Sequence, residues 1–279
     1  MSHIKNSLYN LLSVYCYINI NSYYSFNYII HHNKLVLSGT EKYNGDRFNE
    51  WLAGVIDGDG HLTFSGGSPR LIIDMETRNS SLISFIQSKL GGSIHYPKRN
   101  TKVLSYYLGS RQSVTTLVHR INGNIRNSVR IPQLQSLCNL LGITYIPPVP
   151  LTINNAWFAG MFDADGCLSA NFGQTSPRIT ATITQKYEID TKDFSIFGGY
   201  TIDRGSENHY RWQTNKESDV IMLCNYFDSC PILSHKSSRV TWVHDFYKFR
   251  NLKAHKPGSY YHSDWIHLKT NWTNWVPKA

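Results

Sequence analysis

The constraint that shapes everything else in this chain is a duplication. Residues 51–60 read Trp51-Leu-Ala-Gly-Val-Ile-Asp-Gly-Asp-Gly60, and residues 157–166 read Trp157-Phe-Ala-Gly-Met-Phe-Asp-Ala-Asp-Gly166. Asp59 and Asp165 hold the same place in the two stretches, 165 − 59 = 106 residues apart. One such stretch reads as a buried helix with a glycine stop. Two in one polypeptide imply a pseudo-twofold protein with one carboxylate from each half at the axis, an arrangement suited to divalent metal and paired phosphodiesters.

The repeat runs beyond the ten residues. Ser68-Pro69-Arg70 returns as Ser176-Pro177-Arg178, an offset of 178 − 70 = 108, and Gly91-Gly92 returns as Gly198-Gly199, an offset of 199 − 92 = 107. A period this long excludes a solenoid, whose units are about 20–50 residues. The spacing predicts a first subdomain over 44–146 and a second over 151–279. Ile146-Pro-Pro-Val-Pro150 joins them, with 147–150 as a stiff proline-rich linker. Residues 1–43, rich in Asn, Tyr, Ile and Ser, read as a poorly ordered extension. They are too polar for a membrane span and lack the compact apolar core of a signal peptide.

Within each unit the pattern predicts an order αββαββα with one further helix. In the first, helices are expected over 49–59, 80–90, 113–121 and 131–141, and strands over 61–65, 70–77, 93–98 and 105–110. In the second, strands are expected over 167–172, 178–185, 200–204 and 209–214. Helices follow near 190–197, over 216–227 and from 234 to about 252. The fold class is therefore α+β: two pseudo-symmetric αββαββα subdomains, each with a four-stranded antiparallel sheet, the two sheets forming one long curved surface and the paired motif helices lying at the interface.

Lysine and arginine exceed aspartate and glutamate by 28 − 19 = 9, which favours a polyanionic partner, nucleic acid before membrane. Strand alternation supplies the side chains to read it. His61, Thr63 and Ser65 share a face, as do Arg70, Asp74 and Glu76, and Arg178, Thr180, Thr182 and Thr184. Of these, His61, Thr63, Ser65, Arg70, Asp74, Arg178, Thr180 and Thr182, with Arg211 and Gln213 from the last strand, form the expected DNA-contacting set. Cys16, Cys138, Cys167, Cys224 and Cys230 lack zinc-site spacing and read as buried, reduced residues.

The paired helices carry the chemistry. Gly54 and Gly58, and Gly160 and Ala164, are spaced i, i+4 and give each helix a flat stripe for close packing. Packing does not account for Asp59 and Asp165, each at a helix C-terminus where the macrodipole disfavours an acid unless a cation compensates. Asp57 and Asp163 are repeated too and are assigned to structural hydrogen bonds.

Leu52-Ala-Gly-Val-Ile-Asp-Gly-Asp-Gly60 and Phe158-Ala-Gly-Met-Phe-Asp-Ala-Asp-Gly166 resemble the two motifs of a single-chain LAGLIDADG homing endonuclease, and the resemblance covers roughly residues 45–255. Asn122-Gly-Asn-Ile-Arg-Asn127 and Asn251-Leu-Lys-Ala-His255 are similar to group I intron-encoded members from organelle genomes. The resemblance implies a saddle that binds double-stranded DNA, with Asp59 and Asp165 holding Mg²⁺ (Mn²⁺ substituting), helped by the carbonyls of Gly58 and Ala164. It implies that Gln185 orders water near one scissile phosphate, with Glu76 as its first-half counterpart. Lys236, the last residue of Pro231-Ile-Leu-Ser-His-Lys236, is implied to polarise the water network, with Arg126 or Arg130 as the nearest first-half candidate. The expectation is a monomeric, metal-dependent, site-specific double-strand endonuclease of mitochondrial or other organellar origin, without a membrane partner. The rivals are an intron maturase that binds host intron RNA and a catalytically inactive DNA-binding protein.

Overall fold

A computed structural model describes residues 40, 42–96 and 102–274. Most of the expected extension over 1–43 lies outside the described residues. Its end departs from the expectation: Tyr43 is buried, stacks on Trp51 at 5.2 Å between centroids and donates its hydroxyl to the Pro231 carbonyl at 2.8 Å. Lys42 Nζ donates to the Asp228 carbonyl. The first helix accordingly begins at Gly45 and not at 49.

The first half runs α1 (Gly45–Asp59), β1 (Gly60–Ser65), β2 (Ser68–Glu76), α2 (Ser80–Leu90), β3 (Ser93–His95), β4 (Val103–Leu108), α3 (Arg111–Ile121) and α4 (Arg130–Leu141). The second runs α5 (Trp157–Asp165), β5 (Gly166–Asn171), β6 (Arg178–Gln185), β7 (Tyr200–Arg204), β8 (His209–Thr214), α6 (Glu217–Ser229), α7 (Ser237–Thr241), α8 (Val243–Asn251) and α9 (His262–Asn274). The sheets are antiparallel and ordered β1-β2-β4-β3 and β5-β6-β8-β7, the same order twice. The first hairpin turns on Gly66 and Gly67, both at positive φ (56° and 76°), as a type I′ two-residue turn requires at both central positions. Leu71, Ile73 and Met75 point into the core while Arg70, Ile72 and Asp74 point out, the period-2 signature of a half-buried strand.

Beyond shifts of a few residues at element ends, such as β3 stopping at His95 and β4 spanning Val103–Leu108 where the pattern predicts 93–98 and 105–110, three elements differ from the sequence pattern. The helix expected near 190–197 is two short 3₁₀ turns, Glu188–Asp190 and Lys192–Phe197, too short to complete an α-helical register before Gly198 and Gly199 adopt positive φ. The helix expected from 234 to 252 is broken into α7 and α8 at Trp242. Helix α9 was not anticipated. It buries Trp265, Leu268 and Trp272, spaced i, i+3, i+7, and Phe172 from the β5–β6 loop packs on Phe246, Trp265 and Trp272 with centroids 5.2, 5.0 and 6.1 Å away. Among the cysteines, Cys138, Cys224 and Cys230 are buried, but Cys167 is exposed because it sits on the open face of β5. Among the described residues no helix is long and apolar enough to cross a membrane.

The two halves meet along α1 and α5. A Cβ on Gly54 would lie 2.0 Å from the Trp157 carbonyl oxygen, and one on Gly160 would lie 1.9 Å from that of Trp51. Backbone therefore rests on backbone, and no side chain fits at either place. This contact brings the C-terminal ends of both helices together.

Candidate active site

Each motif helix is fixed by a reciprocal pair of hydrogen bonds. Trp157 Nε1 donates to Asp57 Oδ2 at 2.7 Å, and Trp51 Nε1 donates to Asp163 Oδ2 at 2.9 Å. Each aspartate then holds the loop that follows its own half's helices. The Arg126 amide donates to Asp57 Oδ2 at 2.7 Å, and the Leu233 and Ser234 amides donate to Asp163 Oδ1 at 3.0 and 2.7 Å. Asp57 and Asp163 thus take the hydrogen-bonding place assigned from sequence. Burial raises both carboxyls, Asp57 to about 7, against the pull of these donors.

Two residues further on, Asp59 and Asp165 end the two helices, half-buried and close enough for their charges to interact. Burial first, and then the charge of Asp165, raises Asp59 to about 7, while Lys236 and Arg130 pull it back. Burial also raises Asp165, opposed first by a hydrogen bond from Gln185 and then by the same two cations. Asp59 accepts no hydrogen bond among the described residues, so its lone pairs remain open to a cation. Among the described residues no group of three or more His, Cys, Asp or Glu side chains could hold a metal. A cation here would therefore be completed by carbonyls, water and ligand oxygens, the shell that Mg²⁺ prefers. The donor set fits a hard divalent ion.

Two basic side chains close the helix ends. Lys236 Nζ donates to the carbonyls of Phe162, Asp163 and Ala164 at 3.1, 2.8 and 2.7 Å, capping α5. Arg130 reaches the Gly58 carbonyl of α1 at 3.5 Å. Arg130 is therefore the positional counterpart of Lys236. Arg126 is not, since its guanidinium lies over the Trp157 ring at 5.4 Å. The Gly58 and Ala164 carbonyls both face these cations, so an ion bound there would share them.

Gln185, buried at the end of β6, donates from Nε2 to Asp165 Oδ2 at 2.7 Å. Strand register corrects its expected partner. Gly60 pairs with Ile73 and Gly166 with Ile183, which aligns Met75, not Glu76, with Gln185. Glu76 points to the open face and pairs with Arg78. Period 2 decides this, because a one-residue slip moves a side chain to the opposite face of the sheet. Glu76 still lines an open cavity of about 550 Å³ together with Asp59, Asp74, Arg78, His235 and Lys236.

The remaining sequence candidates lie together on the open sheet faces. His61, Thr63, Ser65, Arg70 and Asp74 stand on one sheet, and Arg178, Thr180, Thr182, Arg211 and Gln213 on the other, all exposed or half-exposed. Several neighbours escaped sequence reading. Ser105 and Tyr107 share the first face, with Ser105 donating to Asp74 Oδ1 at 2.5 Å, and Tyr200 accepts from Gln213 Nε2 at 3.1 Å. The alternation of Val103–Leu108 carried the signal for Ser105 and Tyr107.

No family model matches the chain. It is 33% identical over 236 residues to an intron-encoded RNA maturase bI4 of Saccharomyces cerevisiae, covering 82% of this chain and 37% of that protein. It is 28% identical over 246 residues to a probable intron-encoded endonuclease aI2 of Debaryomyces hansenii, covering 81% of this chain and again 37% of that protein. The chain thus spans little more than a third of the length of these relatives. In structure it is similar to the LAGLIDADG meganuclease I-AabMI bound to uncleaved DNA, with a TM-score of 0.60 and 18% identity over 82% of this chain and 99% of that one.

Proposed function

This chain is a two-motif LAGLIDADG protein, and on that premise we propose that it is a site-specific double-strand DNA endonuclease, cutting one phosphodiester per strand across the minor groove. The observation that carries the reading is the delivery of Asp59 and Asp165 to one place by two helices that the Trp51–Asp163 and Trp157–Asp57 bonds lock in mirrored positions. Such a pair of half-buried acids serves no packing purpose. It meets the charge requirement of a divalent cation bound between two strands.

Asp59, Asp165 and the carbonyls of Gly58 and Ala164 are the groups that would hold Mg²⁺, or Mn²⁺ in its place. When bound, the ion supplies Lewis acidity toward phosphate oxygens and water. Lys236 and Arg130 supply positive charge beside those phosphates, and Gln185 fixes the Asp165 carboxylate. Arg70, Arg178 and Arg211 hold the DNA backbone or guanine edges, while His61, Thr63, Ser65, Asp74, Thr180, Thr182 and Gln213 read base edges from the sheet faces. Both acids lie in one polypeptide, so a monomer suffices. The relatives are named as intron-encoded, which supports an organellar, mitochondrial origin.

The test is cleavage of a randomised DNA library, followed by assay of the selected site with Asp59→Asn and Asp165→Asn. Each variant should lose double-strand cleavage with Mg²⁺ while retaining specific binding in Ca²⁺. Cleavage of both strands at the wild-type rate by either variant refutes the assignment. The S. cerevisiae relative supports a second reading, in which the basic surface takes host intron RNA. On that reading Asp59→Asn leaves RNA binding and splicing assistance intact.

A further inference from the structure

We propose that Asn127 is a positioning residue for the Asp165 half-site, acting through Gln185 to decide which end of an amide meets the carboxylate. The polarity of the chain starts at the backbone. Asn127 Oδ1 accepts from the amides of Val129 at 2.9 Å and Arg130 at 3.3 Å. Those groups can only donate, so the side-chain oxygen of Asn127 must face them and its Nδ2 must face away. Nδ2 donates to Gln185 Oε1 at 3.0 Å. With its oxygen committed, Gln185 turns Nε2 to Asp165 Oδ2 at 2.7 Å and to the Thr184 carbonyl at 2.9 Å. Asn127 and Gln185 are 9% and 7% exposed, so water does not substitute readily for a lost partner. Flipping either amide would set oxygen against oxygen and N–H against N–H.

The other half lacks this relay. An offset of 107 places Ser234 where Asn127 stands, and the register places Met75 where Gln185 stands. Methionine has no donor, and Asp59 accepts no hydrogen bond among the described residues. The duplicated scaffold therefore holds one acid by a directed amide chain and leaves the other to its cations. Asn127 also accepts the amide of Arg130, the first residue of α4, whose side chain reaches Gly58, so a single loop bears on both half-sites.

The catalytic consequence rests on the nuclease reading; the relay itself does not. Asn127→Ser keeps an acceptor for the Val129 and Arg130 amides, as serine does at helix N-caps, and removes the donor to Gln185. Asn127→Asp does the same with the shape of the side chain retained, and serves if the serine variant folds poorly. In metal-free protein without DNA, the Gln185 side-chain amide resonances, identified by their disappearance in Gln185→Met, should shift in both variants. In single-turnover cleavage, Asn127→Ser should slow one strand by about 10- to 100-fold, the usual cost of losing an outer partner of a metal-site group, so that nicked DNA accumulates. The double variant Asn127→Ser/Gln185→Met should be no slower than Gln185→Met alone. Unshifted Gln185 resonances, equal slowing of both strands, or multiplicative effects in the double variant would overturn the proposal. If the wild-type protein cuts no DNA the nuclease reading fails, and the amide resonances still decide whether the relay exists.

Discussion

The sharpest test of the packing lies at Gly58, where the two motifs differ by one methyl group. A Cβ built on Gly58 would lie 2.3 Å from the Ala164 Cβ and 3.3 Å from Asp165 Oδ2. Carbon atoms in contact lie at about 3.5 Å or more, so Gly58→Ala is short by at least 3.5 − 2.3, about 1.2 Å. The helices cannot separate by that amount without breaking the backbone contact at Gly54 and Gly160. Overpacking of this kind costs about 1–3 kcal/mol, or roughly 2–12 °C in melting temperature for a domain of this size. The interface holds one methyl in this layer, so exchanging its side should restore the fit. Gly58→Ala/Ala164→Gly should recover most of the loss, with a coupling energy of about 1–2 kcal/mol in a double-mutant cycle. Denaturant unfolding of the four proteins measures it. The 3.3 Å approach to Asp165 survives the exchange, so the double variant should regain stability while one strand remains slowly cut. A Gly58→Ala melting temperature equal to wild type, or strictly additive energies, refutes the packing argument.

Other consequences follow from the same geometry. Gly54→Leu and Gly160→Leu should each destabilise by more than the alanine exchange, since both drive a large side chain into backbone; an unchanged melting temperature in both means that α1 and α5 do not pack as described. Trp157→Phe removes the shorter indole bond to Asp57, whose Oδ1 is already buried without a partner, and should cost about 1–3 kcal/mol by chemical denaturation. Asp57 and Asp59 sit near 7 in the fold against 3.8 for the free side chain, so the folded state holds protons that the unfolded chain releases. Stability in EDTA should therefore fall as pH rises from about 4 to 7, and Asp59→Asn should flatten the trend; a rise across that window contradicts the burial of these acids. Lys236→Met and Arg130→Met should slow opposite strands, read as nicked against linear plasmid, and equal slowing by either would assign it a shared role.

Much of this was legible in the chain because the repeat supplies two independent copies of each signal. The glycine stops, the period-2 strands and the helical stripes recur at an offset near 107, and the sheet order is the same twice. The loss of legibility has local causes. Glu76 was misaligned with Gln185 because composition at a strand end does not reveal register, which hydrogen bonding to β1 sets. Helix α9 was missed although Trp265, Leu268 and Trp272 mark its face, because the repeat has no counterpart for it. Residue type does not distinguish Arg126 from Arg130, since only packing sends one guanidinium over Trp157 and the other to Gly58.

The crossed pins explain why the two halves could diverge without losing the site. Ser128 donates from its amide and hydroxyl to Asp190 at 2.7 and 2.9 Å, and the His235 amide donates to Asn79 Oδ1 at 3.2 Å. Each half's post-helical loop is thus fastened to the turn following the other half's second strand. Together with the Trp–Asp pairs, these bonds fix the placement of Asp59 and Asp165 using residues that do not themselves line up on the acids. The groups around the acids then differ between the halves: lysine against arginine, glutamine against methionine and, one step further out, asparagine against serine. A symmetric frame carries an asymmetric centre, which is the arrangement that the proposed cutting of two unlike half-sites in one target would require.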